Sequence, residues 1–166
     1  YLAEAGASSA PIGWTDFCSR FAADCDTRSP RVETLALSRV VWSQLVQINA
    51  HVNATIEPMT DMDQYGVEEF WTYPTSGKGD CEDYVLLKKQ MLIRAGLPAS
   101  ALLITVVRDR KGDGHAVLTV KTNRGDYILD NENDEIRLWH ATGYRFVKRQ
   151  SQDDPNRWVT IGPASA

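Results

Sequence analysis

The sequence lacks a long apolar run, a surplus of positive charge and a dense set of cysteines. No stretch of hydrophobic residues approaches the ~20 positions that a bilayer-spanning helix needs, so no membrane span is expected. Lys and Arg number 18 against 22 Asp and Glu, giving a net charge of −4 and an isoelectric point near 5.4. That balance lacks the basic footprint of a nucleic-acid binder. Three cysteines among 166 residues are too few for a disulfide scaffold, and the odd count leaves at least one thiol free. A hydrophobic share of 43% beside 24% charged residues excludes wholesale disorder. The length fits a single domain over 1–166 that buries about two thirds of its unfolded surface. The chain begins at Tyr1 rather than Met, which reads either as an export signal removed or as a truncated chain.

Residues 1–13 are small, carry Gly and Pro and show no period, so they are expected to form a flexible arm. Trp14 to Cys25 reads as a short helical piece holding Cys18 and Cys25. Ser29-Pro30 has the form of an N-cap and first helical residue, followed by a helical period from Leu35 to Ile48 that ends near Asn53. Residues 54–80, rich in Gly, Pro and aromatics, read as a long structured loop. A second helix should start at Asp80 or Cys81 and stop at Gly96-Leu97-Pro98. The period then changes to two, predicting strands over 101–108, 115–122 and 126–130, with two more in the aromatic-rich segments beyond. The expected fold is α+β, with N-terminal helices packed on an antiparallel sheet.

Three residues fall where chemistry needs them. Cys81 sits at a predicted helix N-terminus, where backbone N–H groups favour a thiolate and can bind an oxyanion. Glycines just upstream give a substrate chain room to approach the sulfur. A free cysteine is most often a small buried apolar residue, so position is what marks this one. His115 opens the second predicted strand, and histidine is the usual base for a cysteine nucleophile. On that strand Ala116, Leu118 and Val120 form the core-facing set, so His115 either points away from the core or lies at the strand start. Asp130 closes the third strand. With an even hairpin loop at 122–125, Val117 faces Asp130, and Asp130 lies diagonally from His115 on one face. An odd loop would separate them. His51 and His140 have no partner pattern and read as surface residues.

This order of Cys on a helix start, then His and Asp on neighbouring strands, resembles the bacterial transglutaminase-like cysteine proteases. The matching residues are Gly79-Asp80-Cys81-Glu82-Asp83-Tyr84, Gly114-His115-Ala116-Val117-Leu118 and Tyr127-Ile128-Leu129-Asp130-Asn131. Phe17-Cys18 and Cys25 are similar as well. The resemblance implies a papain-like transglutaminase core, with Cys81 as nucleophile, His115 as base and acid, and Asp130 orienting the imidazole. It implies a periplasmic, exported endopeptidase that cuts a large surface adhesin near its N-terminus and releases cells from a biofilm. It also implies an inner-membrane cyclic-di-GMP receptor that sequesters the enzyme.

Asp80, Glu82 and Asp83 crowd the nucleophile and should disfavour its thiolate unless a cation neutralises them. Acids also suit a helix start for its dipole alone. The resemblance implies Ca²⁺ held by Asp80, Glu82 and Asp83. Asp109 to His115 lacks the spacing and closing Glu of an EF-hand and reads as a hairpin turn. Cys18 and Cys25, seven apart, form a disulfide if the protein is exported and stay free thiols in the cytosol. Trp71 and Tyr73, with Tyr65, are candidate walls of a substrate cleft. Two other functions are compatible with these residues: a transglutaminase or amidase, in which another nucleophile replaces water, and a non-enzymatic calcium-binding interaction module.

Overall fold

The computed structural model describes residues 2–26 and 32–162. In chain order the elements are β1 (Glu4–Ser8), α1 (Ile12–Arg20), α2 (Ala22–Cys25), α3 (Arg39–Thr55), β2 (Glu57–Pro58), α4 (Asp61–Tyr65), β3 (Lys78–Gly79), α5 (Cys81–Arg94), β4 (Leu102–Arg108), β5 (Gly114–Thr122), β6 (Gly125–Asp130), β7 (Asn133–Leu138), β8 (Arg145–Gln150) and β9 (Trp158–Ile161). Seven strands form one antiparallel sheet in the order β1-β9-β8-β4-β5-β6-β7. Helices α3 and α5 pack on each other, and α5 lies against β5 at the centre of the sheet. The expected α+β arrangement is the one observed. Among the described residues no helix is long and apolar enough to cross a membrane.

The main core lies between helices and sheet, where Leu45, Leu86 and Leu92 meet Leu102, Ile104, Leu118 and Leu129. Each such side chain contributes about 1.5–3 kcal/mol through burial. The outer face of the central strands is covered too: Val107, Val117 and Ile128 pack under Trp139, Tyr144 and Phe146. Both faces of β5 are therefore buried, so His115, turned away from the main core, is still covered.

Two expectations near the N-terminus are corrected. Of the expected arm over 1–13, residues 2–13 are not free, because β1 pairs with β9 and α1 already begins at Ile12. Leu2 is buried against Val159 and Ile161, and its amide donates to Asp126 Oδ2 at 2.7 Å. Arg149, itself buried, pairs with Glu4 at 2.9 Å. Small residues carry no period of their own, so this strand is specified by its partner rather than by local pattern. The Ser29-Pro30 cap lies outside the described residues. Helix α3 begins at Arg39, later than the Ser29-Pro30 cap suggested, with Ser38 as N-cap accepting from the Val41 amide. Leu35 instead bridges to Thr122, its apolar side chain buried in extended backbone.

Downstream, the second helix starts at Cys81 with Asp80 as N-cap and ends at Arg94, with Ala95 as C-cap before Gly96 at φ +99°. The strands after it match expectation to within one residue, and three rather than two follow β6. Trp139 forms a short 3₁₀ turn rather than part of a strand. The β5–β6 register pairs Thr122 with Gly125 and Leu118 with Leu129, the even-loop alternative that puts His115 and Asp130 on one face.

Candidate active site

Cys18 and Cys25 are joined in a disulfide, with Cα atoms 5.7 Å apart, so Cys81 is the one free thiol of the chain. It opens α5, whose start is fixed by reciprocal hydrogen bonds. Asp80 Oδ1 accepts from the Cys81 amide at 2.8 Å, and Asp83 Oδ2 accepts from the Asp80 amide at 3.1 Å. Beside the Asp80–Asp83 capping box, the bond to Asp80 Oδ1 spends the Cys81 amide on a carboxylate, so that N–H is engaged rather than open to an oxyanion. Gly79 is needed for packing rather than for substrate: a Cβ there would meet Asp83 Cβ at 2.9 Å and Pro74 Cβ at 3.2 Å.

The sulfur lines a cleft of about 330 Å³ together with Ile12, Glu69, Trp71, His115 and Lys148. Trp71 is a wall of this cleft, as anticipated, and Gly13 lies against its indole so closely that no side chain would fit. Tyr73 does not line it. Its ring packs on Phe17 and Phe21, its hydroxyl donates to Asp24 at 2.8 Å, and it faces a separate pocket of about 160 Å³. Tyr65 packs at a tilt against Phe70 and lines neither pocket. His51 and His140 are exposed.

His115 shares the cleft with Cys81, and its Nε2 lies 2.8 Å from Asp130 Oδ1. With Nε2 taken by the carboxylate, Nδ1 is the nitrogen left for the thiol. Burial works against the imidazolium, but the bond to Asp130 and the charges of Asp130, Glu132 and Asp109 outweigh it, so the His115 pKa lies above its ordinary value. Burial likewise opposes an ionised Asp130, yet hydrogen bonds from His115 and Tyr144 hold its pKa below the usual range. The strand end carrying Asp130 is tied to α3: Asn53 Nδ2 donates to the Asp130 carbonyl at 2.9 Å and to Asp134 Oδ1 at 2.8 Å. Beneath the site, Lys88 of α5 is fully buried and its Nζ donates no hydrogen bond. Burial drives its pKa down to about 7 against the pull of Asp130 and Asp134.

Around Cys81 the acids expected to hold a cation, Asp80, Glu82 and Asp83, do not form one group: Glu82 and Asp83 converge with Asp61 instead. Asp61, Glu82 and Asp83, all buried, bring carboxylate oxygens within 4.8 Å of one another. Asp80 groups with Cys81 and Glu82. Asp61 Oδ2 accepts the Phe70 amide at 2.7 Å and Asp83 Oδ1 the Thr72 amide at 3.0 Å, while Asp61 Oδ1 and Glu82 Oε1 are buried with no N–H donor. Cys81 Sγ donates to Glu82 Oε2 at 3.1 Å. Burial, then the neighbouring carboxylates of Asp61 and Asp80, push the Glu82 pKa strongly upward. Burial also lifts Asp83 to about 7, opposed by the Thr72 and Asp80 amides. Burial, Glu82 and Asp80 together raise the Cys81 thiol well above its ordinary value, and the Ala116 amide pulls weakly the other way.

Sequence reasoning missed Asp61 and Tyr144. Asp61-Met62-Asp63 is an acidic pair after the cap residue Thr60, a signal of a short helix but not of its docking beneath Cys81. Tyr144 lies in a loop after Gly143, and nothing local ties it to Asp130.

Comparison with known proteins agrees with this arrangement. No curated protein matches the chain. Among solved structures, calcium-bound LapG of Legionella pneumophila is similar at TM-score 0.63 and 24% identity, over 90% of this chain and 84% of that one. LapG of the same organism treated with EGTA is similar at TM-score 0.61 and 24% identity, over 75% and 73% of the two chains. These likenesses show a shared transglutaminase-like fold. The sequence profile of the bacterial transglutaminase-like cysteine proteinases matches residues 4–166, nearly the whole chain. By that match the chain belongs to the bacterial transglutaminase-like cysteine proteinases.

Proposed function

We propose that the chain is a calcium-dependent cysteine endopeptidase working through Cys81, His115 and Asp130. One observation carries this reading: the only free thiol shares a cleft with a histidine whose far nitrogen is held by a buried carboxylate at 2.8 Å. The raised Cys81 pKa leaves the resting sulfur protonated, so its proton passes to His115 Nδ1 as sulfur attacks the peptide carbonyl. Asp130 stabilises the imidazolium that forms. His115 then gives that proton to the leaving amine, and water, with His115 again as base, resolves the thioester.

The acid cluster fits a hard divalent cation. Its donors are all carboxylate oxygens, two of which are buried and receive no N–H. Asp61, Glu82 and Asp83 would hold Ca²⁺, with Asp80 contributing charge at the rim. When bound, the ion offsets the negative charge that the thiolate otherwise meets from Glu82 and Asp80. The calcium-bound state of LapG, a protein of the same fold, supports the choice of ion.

The substrate we propose is a large surface adhesin cut near its N-terminus, with release of cells from a biofilm. Control would come from an inner-membrane receptor that answers to cyclic-di-GMP. This rests on the family resemblance of the motifs around Cys81, His115 and Asp130. The Cys18–Cys25 disulfide supports export to the periplasm, because such bonds persist in oxidising compartments. The test is an adhesin N-terminal fragment incubated with the chain, in calcium or in chelator, beside Cys81→Ala. Cleavage by the calcium-loaded parent alone is expected. A cross-linked or deamidated product would identify an acyl transferase instead, and binding without turnover a calcium-binding interaction module.

A further inference from the structure

Asp130 has two carboxylate oxygens, and His115 uses only one. Oδ1 takes His115 Nε2 at 2.8 Å and the Glu132 amide at 3.1 Å. Oδ2 accepts the hydroxyl of Tyr144 at 2.5 Å. The same tyrosine meets the imidazole edge-to-face, with centroids 5.5 Å apart and planes at 67°. Its backbone is seated as well: the Tyr144 amide donates to Thr142 Oγ1 at 3.2 Å, and Thr142 Oγ1 donates to the Trp139 carbonyl at 2.8 Å. Its ring belongs to the apolar layer over Val107, Val117 and Ile128. One half-buried side chain thus touches both His115 and Asp130 from an anchored loop.

We propose that Tyr144 is a positioning residue for the proteolytic reaction, its hydroxyl fixing the far oxygen of Asp130 and its ring walling His115, so that Nδ1 stays turned toward Cys81. This rests on the reading of Cys81, His115 and Asp130 given above. The final torsion of an aspartate is broad, so a carboxylate held at one oxygen can still swing. A charge-assisted bond to the second oxygen removes that freedom. The hydroxyl has a single proton, and the Asp130 contact is shorter than the 3.4 Å contact to Glu132. The titratable groups around the pair include Glu132 and Asp109 beside His115, Cys81, Glu82 and Lys148 lining the cleft, and Lys88 near Asp130.

Tyr144→Phe removes the hydroxyl and keeps the ring. Two quantities report its effect: the His115 midpoint from NMR titration of the ring, and kcat and KM on the adhesin fragment. Without the hydroxyl, Asp130 keeps more charge for the imidazolium, so the His115 midpoint rises by about one pH unit. Loss of a hydrogen bond to a charged group lowers kcat about tenfold with KM unchanged. In an Asp130→Ala background, Tyr144→Phe should move the His115 midpoint no further. An unchanged midpoint and kcat in Tyr144→Phe would overturn the proposal, as would the same shift persisting without Asp130. An inactive Asp130→Ala beside a fully active Tyr144→Phe defeats only this proposal. A fully active Asp130→Ala defeats the triad reading and this proposal with it.

Discussion

Calcium removal is the perturbation that tests the acid cluster most directly. Asp61 and Asp83 are fully buried and Glu82 nearly so, and their oxygens converge within 4.8 Å, two of them receiving no N–H. A cation held there at a hundredfold excess over its Kd stabilises the fold by about 2.7 kcal/mol. For a chain of this size that is a rise in Tm of about 5–10 °C. The pH dependence has a definite sign. Asp83 is raised from 3.8 to about 7, so the fold favours its protonated form. Its contribution to stability is present below 3.8 and is lost as pH rises through about 7, a loss on the order of 4 kcal/mol at most. Glu82 shifts in the same direction. Calcium competes with these protons, so its increment in Tm should grow from pH 6 to pH 8. Asp61→Asn keeps an acceptor for the Phe70 amide but removes a ligand charge, and should cut the increment by more than half. The measurement is thermal melting by circular dichroism in excess calcium and in EGTA. Equal melts in the two buffers, or an undiminished increment in Asp61→Asn, would refute the reasoning.

Much of the site was legible because its residues lie at element boundaries that sequence marks well. Asp80 as N-cap, Gly96 as terminator and the period-two strands place Cys81, His115 and Asp130 without any tertiary knowledge. The parity of one hairpin loop then decides whether His115 and Asp130 meet, and the observed register has the parity they need. What stayed hidden depends on partners distant in sequence. β1 is extended because β9 lies beside it, Glu4 pairing with Ile161 from almost the other end of the chain. Asp61 becomes part of the acid cluster only once the loop before Cys81 folds back on α5, as the Asp61 amide contact to Asp80 Oδ2 records. Tyr73 was misplaced for a related reason. An aromatic near a nucleophile can face the cleft or the core, and contacts with α1 decide for the core side. Gly79 looked like access for substrate, whereas the space it leaves is filled by Asp83 and Pro74.

Two further substitutions probe the packing around the site. Gly79→Ala forces a Cβ onto Asp83, and such overpacking should cost about 1–3 kcal/mol and weaken calcium binding together, read by thermal melting and by calorimetry. Unchanged calcium affinity would mean that Asp83 is not held in place by this contact. Lys89 tests the opposite sign of linkage. It is buried, its Nζ donates to Gln150 Oε1 at 2.9 Å, and burial lowers its pKa from 10.5 to about 7. A depressed lysine pKa means the fold disfavours the ammonium, so its contribution to stability is present above 10.5 and is lost as pH falls through about 7. Lys89→Met removes the buried charge, while Gln150 Oε1 still receives the Ile104 amide at 2.9 Å. The variant should therefore be more stable than the parent at pH 6, by about 1–4 kcal/mol, with the gain shrinking toward pH 10. Urea midpoints at the two pH values measure this, and a variant less stable than the parent at pH 6 would show that the ammonium is stabilised by its surroundings after all.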